Sequence, residues 1–374
     1  MDLELDADQQ ELRDHARSFL AAACPASLVR TVFEGTGSAD ALWASMVDLG
    51  WPGLGIDVEH GGLGQGFIAE AVLVGELGRV VAPTPYLATV SQLAPVLVEA
   101  GAHDVLARIA AGTCTGTLAV AEATPDATQR IGAQATPIGG GRRLLRGTKT
   151  HVLDGATADE VAVVVRGGSE DEYGLGVVLV PGSAFAPQAL EVIDPTMPLA
   201  TLPLDGIEVA ADRVLIEPLA PNAGWRISQL RAHATVAMAI SCVATCRAIL
   251  EDTVEYAKQR HQFGRAIGSF QAIKHRLADL YLAVERADAL AWYASCTIAE
   301  DDPRCSTAVA MAKSAAGDCQ RLATRDGLQL HGGIGFTWEH DLHFLLKRAL
   351  TTAALCGDGA SHRVRLAASL GLEP

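Results

Sequence analysis

The chain has 374 residues, a net charge of −15, and 49% hydrophobic but only 5% aromatic residues. That length accommodates two or three structural units, and that charge excludes nucleic acid as a natural partner while still permitting a basic pocket for an anionic cofactor. The start, MDLELDADQQELRDHARSFL, is charged and amphipathic rather than a leader. The apolar run Thr235–Ala244 is too short to span a membrane. Cysteines at 24, 114, 242, 246, 296, 305, 319 and 356 form no CxxC pair and read as reduced thiols of a cytoplasmic protein.

To about Gly112 the pattern is helical. Residues 7–23 put Leu12, Ala16, Phe19 and Leu20 on one face, 43–49 form a short helix ending at Gly50, and helices are expected over 67–77 and 85–100. The stretch between, WPGLGIDVEHGGLGQG, is a glycine-punctuated loop that lacks GxGxxG and follows no strand, so a dinucleotide-binding turn is excluded. From about Thr113 to Asn222, β-branched runs such as EVAVVVRG and GLGVVLVP alternate with turns at Gly139-Gly140-Gly141, Gly167-Gly168 and Pro181-Gly182. Six to eight strands are expected there. Residues 225–263, 269–302 and 337–356 then run without a turn-forming break. In the second of these, Phe270, Ile273, Leu277, Leu280 and Val284 recur at helical spacing. Long helices in succession make a four-helix bundle. The chain therefore reads as an α+β protein in three parts: a helical part over 1–112, a β part over 113–222 and a helical bundle over 223–374.

Two segments carry chemistry. The first, Tyr256–Tyr281, reads YAKQRHQFGRAIGSFQAIKHRLADLY; the second, Gln329–Arg348, reads QLHGGIGFTWEHDLHFLLKR. Arg260 offers planar paired donors suited to a phosphate, and Gly264 permits a tight turn; the plainer reading is a helix end with a surface arginine. Gly332, Gly333 and Gly335 let a ligand approach the backbone and expose N–H donors to an anion; the plainer reading is a helix–helix turn.

Together these strings resemble the C-terminal domain of the acyl-CoA dehydrogenases, and the N-terminal loop and the α–β–α order fit the same family. The resemblance implies FAD as cofactor, α,β-dehydrogenation of an acyl-CoA thioester, and an electron-transfer flavoprotein as acceptor. It implies that Arg260 meets the flavin pyrophosphate, that Phe263 packs near the adenine with Gln262 and Gln271 beside it, and that Gln329, Gly332 and Gly333 close over the adenosine half from a neighbouring subunit. A dimer of dimers follows, with the two segments set at distant bundle ends and meeting across a subunit boundary.

The sequence also departs from the family pattern. Where a threonine is expected near the flavin ring, LAVAEATPDAT has Ala121, and where Trp-x-Thr is expected, KTHVLDG has His151 and Leu153. The resemblance implies that the base that takes the α-proton is, as in many members of the family, a glutamate after the last long helix. Counting without gaps from Gly332 puts Cys356 there, while a two-residue shift puts Asp358 there. Asp358 is the nearby carboxylate and the candidate base, or else the N-cap of a terminal helix over 360–370. The alternative base position, on the first bundle helix, holds Ala234 and Thr235 beside His233. Three readings result: a dehydrogenase using Asp358, a base-lacking, cofactor-sharing subunit of a heteromeric dehydrogenase, or non-redox chemistry on the same scaffold. His340 and His343 do not add up to a metal site.

Overall fold

The computed structural model describes residues 4–123, 131–168 and 174–372. Its N-terminal part holds α1 (Ala7–Ala23), α2 (Ala26–Phe33), α3 (Asp40–Asp48) and α4 (Gly66–Arg79), then a π-helical stretch Leu87–Leu93 running into α5 (Ala94–Ala100), and α6 (His103–Ala110). The central part holds β1 (Gly116–Ala119), β2 (Gln134–Gly139), β3 (Arg142–Arg146), β4 (Thr148–Leu153), β5 (Glu160–Gly167), β6 (Gly174–Pro181), β7 (Gln188–Ala189), β8 (Leu199–Pro203), β9 (Glu208–Val209) and β10 (Val214–Ile216). The C-terminal part holds α7 (Ala223–Gln259), a hairpin of β11 (His261–Gln262) and β12 (Arg265–Ala266), then α8 (Gln271–Ala299), α9 (Cys305–His331), α10 (Leu342–Ala354) and α11 (Gly359–Ser369). The α–β–α order is that of the sequence reading. Among the described residues the central part has more strands than expected, two of them only two residues long.

Compaction does not follow that linear order. One compact unit combines residues 1–42, 66–83 and 234–374; the other combines 43–65 and 84–233.

The first unit is built from helices. Glu76 of α4, nearly buried, accepts from Nε and Nη2 of Arg17 on α1 at 2.9 and 2.6 Å. In α8 the expected apolar face is present from Leu280 onward and continues through Val284, Ala287, Ala291 and Ala294, all buried. α9 was invisible to a search for glycine-free stretches because Gly317 and Gly327 lie inside it. A Cβ at Gly317 would stand 3.2 Å from the Gly359 backbone of α11, and one at Gly327 would stand 2.6 Å from Ile249 of α7. Each glycine costs about 1 kcal/mol of helix propensity, offset by closer helix approach. α7 is long and apolar enough to cross a membrane by length and composition. Its residues Val236–Ala239, Cys242, Cys246 and Ile249 are buried inside the protein, as in a core helix.

The second unit is built around β5. Val161–Val165 are buried on both faces, which is why this strand reads as a continuous apolar run rather than an alternating one. A seven-stranded sheet runs β10-β6-β5-β2-β3-β9, with β1 parallel to β5; β4-β8-β7 form a second sheet. Glu160, at the buried start of β5, pairs with Arg108 of α6 and with Arg213. The glycine loop folds on itself: Gly64 and Gln65 donate to the carbonyls of Ile56 and Leu54 at 2.8 and 2.9 Å. A Cβ on Gly62 would overlap the Ile56 carbonyl at 2.0 Å. Close packing accounts for Gly62, and positive φ for Gly61, Gly64 and Gly66.

α4 meets α7 at Gly78, where a Cβ would lie 2.8 Å from the Ser241 carbonyl oxygen and 2.9 Å from its Cα. Gly78→Ala gains up to about 1 kcal/mol of helix propensity but forces two backbones apart, an overpacking that costs about 1–3 kcal/mol. The expected result is a net loss of unfolding free energy in urea titrations. A variant as stable as the parent would show that these helices slide freely.

Candidate active site

The first segment closes α7 with a hairpin. Arg260 follows the last helical residue, and the Ile267 N–H donates to its carbonyl at 2.8 Å. Gln262 pairs with Arg265 across the two-residue turn Phe263-Gly264, whose φ values are +55° and +79°. Two left-handed residues make the tight primed turn that suits a hairpin. Glycine adopts that conformation readily and phenylalanine does not. Phe263 is also 91% exposed. Arg260, Gln262 and Gln271, the first residue of α8, are exposed as well, and the Arg260 guanidinium has no partner among the described residues.

The second segment closes α9. Gln329 is exposed on its last turn. Gly332 has φ +62° and ψ −140°, a region open in practice to glycine alone. Neither Gly332 nor Gly333 has any atom within 4 Å of where a Cβ would be, so both face open space. The turn is held from both sides. Behind it the His331 ring stacks on Tyr256 at 4.4 Å, and Tyr256 Oη donates to the His331 carbonyl at 3.2 Å. Ahead of it Arg30 of α2 donates to the Trp338 carbonyl at 2.9 Å and to Asp341 at 2.5 Å. The Tyr256–His331 contact corrects the expectation of distant bundle ends: within one chain, the ends of α7 and α9 are neighbours. His340 packs edge-on against His331 and His343 stacks on Trp338. No group of three or more metal-ligating side chains occurs among the described residues.

At the base position the expectation for Asp358 fails on geometry. Asp358 is exposed and is the N-cap of α11: its Oδ1 accepts from the Ser361 N–H at 2.8 Å and from Ser361 Oγ at 2.7 Å. Those bonds, the side-chain one foremost, hold the carboxyl below its ordinary range. A base for a carbon acid needs the opposite shift, produced by burial. Cys356 has φ +61° and Gly357 has φ +90°, and the Cys356 carbonyl accepts from His362 Nε2 at 3.0 Å. Ala234 and Thr235 are buried in α7 and bring no carboxylate. Sequence reasoning missed Lys313, fully buried on α9, whose Nζ donates to the carbonyls of Thr352 and Ala353 at 2.5 and 2.9 Å. Burial lowers its pKa.

In the second unit, the Thr150 N–H donates to the Ala121 carbonyl at 2.9 Å and joins β4 to the end of β1. His151 is exposed at φ +52° in a bulge between Lys149 and Val152, and Leu153 is buried. Of LAVAEATPDAT, residues 124–128 lie outside the described residues. Beside these positions stands a pair that sequence reading missed. Lys149 Nζ, with no solvent exposure, donates to Glu122 Oε1 at 2.6 Å and to the Val120 carbonyl at 3.0 Å. Glu122 also accepts from the N–H groups of Gly132 and Ala133. Burial pulls Lys149 down to about 8 against the opposing pull of Glu122. Burial raises Glu122, but the bonds from Lys149 and Ala133 outweigh it and leave the carboxylate low. The available signal was a lysine at an inward strand position.

Residues 6–117 match the family described as acyl-CoA dehydrogenase, N-terminal domain, and residues 222–371 the one described as acyl-CoA dehydrogenase, C-terminal domain. The chain is 32% identical over 351 residues to acyl-CoA dehydrogenase IpdE2 of Mycobacterium tuberculosis, covering 93% of this chain and 92% of that protein. Among solved structures it is similar to the ChsE4-ChsE5 complex from Mycobacterium tuberculosis, at 26% identity and TM-score 0.88 over 100% of both chains. It is also similar to the Tcur3481-Tcur3483 steroid ACAD, at 27% identity and TM-score 0.86 over 97% of this chain and 98% of that one.

Lys149 gives a pH signature. Its folded pKa of about 8 lies below the 10.5 of an unperturbed lysine. Between those values the unfolded chain binds more protons, so this group makes stability rise with pH across that window and removes the gain as pH falls through 8. Relative to Lys149→Met, the parent should gain about 2 kcal/mol from pH 8 to pH 10 in denaturant titrations. A flat difference over that range would mean that the amine is hydrated.

Proposed function

Because the chain belongs to the acyl-CoA dehydrogenase family, an oxidoreductase family of flavoproteins acting on acyl-CoA, we propose that it works as the base-lacking, cofactor-sharing subunit of a heteromeric FAD-dependent enzyme that desaturates an acyl-CoA thioester between Cα and Cβ. The observation that carries this reading is Asp358. Its carboxylate is committed to capping α11 and held acidic, and neither Cys356 nor Ala234 and Thr235 offers a replacement.

The residues present fit the pyrophosphate half of FAD. Arg260 is exposed, has no partner among the described residues, and offers two parallel N–H donors to a phosphate. Gly332 and Gly333 leave open space in which a ligand can reach the backbone. Gln262, Phe263, Gln271 and Gln329, all exposed, supply polar and aromatic contacts for the adenosine half. FAD, when bound, supplies the acceptor for the hydride that leaves Cβ. On the ring side, Ala121 and Leu153 bring no hydroxyl, and the exposed His151 brings an imidazole instead of an indole. A second chain of the same fold would complete the site in a dimer of dimers, with an electron-transfer flavoprotein as acceptor. The names of the ChsE4-ChsE5 complex and the Tcur3481-Tcur3483 steroid ACAD each pair two proteins, which supports this assembly.

The test is flavin absorbance and its bleaching by a panel of acyl-CoAs, for the chain alone and co-expressed with a partner of the same family. Bleaching is expected only with the partner present. In that complex Asp358→Asn should leave the rate within about two-fold, whereas loss of a catalytic base costs about 10²–10⁴ in rate. Abolition of bleaching by Asp358→Asn in a normally folded, flavin-loaded complex would return the base to Asp358. Separately, Arg260→Ala should weaken FAD binding roughly 10- to 100-fold, the equivalent of a charge-assisted hydrogen bond of about 1.5–3 kcal/mol. Unchanged flavin content would exclude Arg260 as a pyrophosphate ligand.

A further inference from the structure

Three histidines stand on the segment that carries the Gly332-Gly333 turn. His331 ends α9, His340 lies between the helices, and His343 is on the first turn of α10. Each helps to hold the segment. His331 Nδ1 donates to the Gly327 carbonyl at 2.8 Å, and the ring lies between Tyr256, stacked on it, and the edge of His340, 5.0 Å away. His340 Nδ1 accepts from the Leu342 N–H at 3.1 Å, one of the donors that a helix start leaves without an internal partner. His343 stacks on Trp338 at 4.4 Å and meets Phe33 of α2 edge-on at 5.9 Å. Lys347 Nζ donates to its Nδ1 at 3.4 Å, and its Nε2 is buried with no partner among the described residues.

A proton on any of these rings removes part of that hold. On His340 it takes the lone pair that the Leu342 N–H uses. On His343 it sets a cation against Lys347, with no acceptor at Nε2. On His331 it places a charge on a buried ring beside His340. The groups packed around them do not reverse this. Of the carboxylates, Glu34 and Asp341 are both engaged by Arg30 of α2. Asp252 of α7 attracts a charged His340, at the cost of the bond to Leu342. Burial foremost, with His340 adding to it, holds His331 below the ordinary imidazole range against its bond to Gly327. Burial, then Lys347 and Arg30, does the same for His343 against the Trp338 backbone and Asp341.

We infer that His331, His340 and His343 are positioning residues that latch the Gly332-Gly333 turn only while their rings are uncharged, so that mild acid releases it. They touch the flanks of the turn and act on a ligand only through its shape. A histidine freed from the latch charges near its ordinary value of 6.5, whereas His331 and His343 in the latch resist the proton. The released segment therefore binds protons first. The latch is whole above pH 6.5 and is lost as pH falls below it, by up to about ten-fold per pH unit for each ring. That the turn holds FAD rests on the reading above; the latch itself does not.

Hydrogen exchange of the full chain, followed on peptides covering 331–344 at about pH 7.5 and about pH 5.5 and corrected for the intrinsic rate, tests the latch. His343→Phe retains a ring for the stack on Trp338 and carries no proton. His340→Asn retains an acceptor for the Leu342 N–H and does not titrate; thermal melts at both pH values check that both fold. Protection in the parent should fall about ten-fold at the lower pH, with a smaller fall in each variant. Equal protection of the parent at both pH values, or the same loss in the parent and both variants, would overturn the latch. The cofactor is tested separately, by flavin retention in the complex with its partner chain over the same range. Flavin lost as the segment opens, and retained longer in His343→Phe, supports control of the cofactor by the latch. Flavin fully retained while the segment opens would leave the latch standing and overturn the placement of FAD at this turn.

Discussion

Two helix ends separated by four residues must both be capped, and that constraint decides what the chemistry at the end of the chain can be. α10 stops at Ala354 and α11 starts at Gly359. The last carbonyls of a helix and the first N–H groups of the next have no partners within their own helices. Here Lys313 reaches through the core to bind the carbonyls of Thr352 and Ala353, His362 binds that of Cys356, and Asp358 takes the N–H of Ser361. Cys356 and Gly357 both turn left-handed to reverse the chain in so short a span. A carboxylate engaged in this way stays ionised to lower pH, because its charged form is the one the helix end solvates. Capping and proton abstraction therefore make opposite demands on Asp358, and the geometry satisfies the first.

The other end of the bundle is under no such demand. The turns after α7 and α9 are held at their flanks, by the Tyr256–His331 stack and by Arg30 on the Trp338 and Asp341 side. Their tips, Phe263-Gly264 and Gly332-Gly333, contact little. Fixed flanks with unfilled tips are what a binding surface requires, since the ordering cost is met before the ligand arrives. A left-handed, almost wholly exposed phenylalanine is difficult to explain by the stability of the isolated chain.

Local pattern carried much of this to the sequence reader, and distance hid the rest. α7 and α8 were legible because each is a long stretch without glycine or proline, and the valine run of β5 announced a strand. α9 was not legible, because Gly317 and Gly327 serve helix packing and resemble breaks in a linear reading. β7 and β9 are too short to leave a period. Gly264 was recognisable because a tight turn needs glycine, and it bears that out at φ +79°. What escaped depends on partners far along the chain. Lys149 with Glu122, Lys313 with α10 and Arg30 with Trp338 are bonds between segments 27 to 308 residues apart. The two roles open for Asp358 could be separated only by seeing which atoms its oxygen meets.

The central sheets keep a path that would serve a flavin while changing the groups that line it. The Thr150 N–H still binds the Ala121 carbonyl, and the buried Lys149–Glu122 pair ties the same two segments together, so the backbone there is rigid. A buried ion pair of this kind costs several kcal/mol if one partner is removed, which makes the register at Ala121 and His151 hard to shift. On that rigid frame the side chains have lost hydroxyls at 121 and 153 and present an imidazole at 151 from a left-handed bulge, where histidine is better tolerated than a bulky aromatic. Disrepair would loosen the frame as well as its contacts. A stiff frame with altered contacts is what the proposed base-lacking subunit needs, since its fold can be kept while the lining groups change.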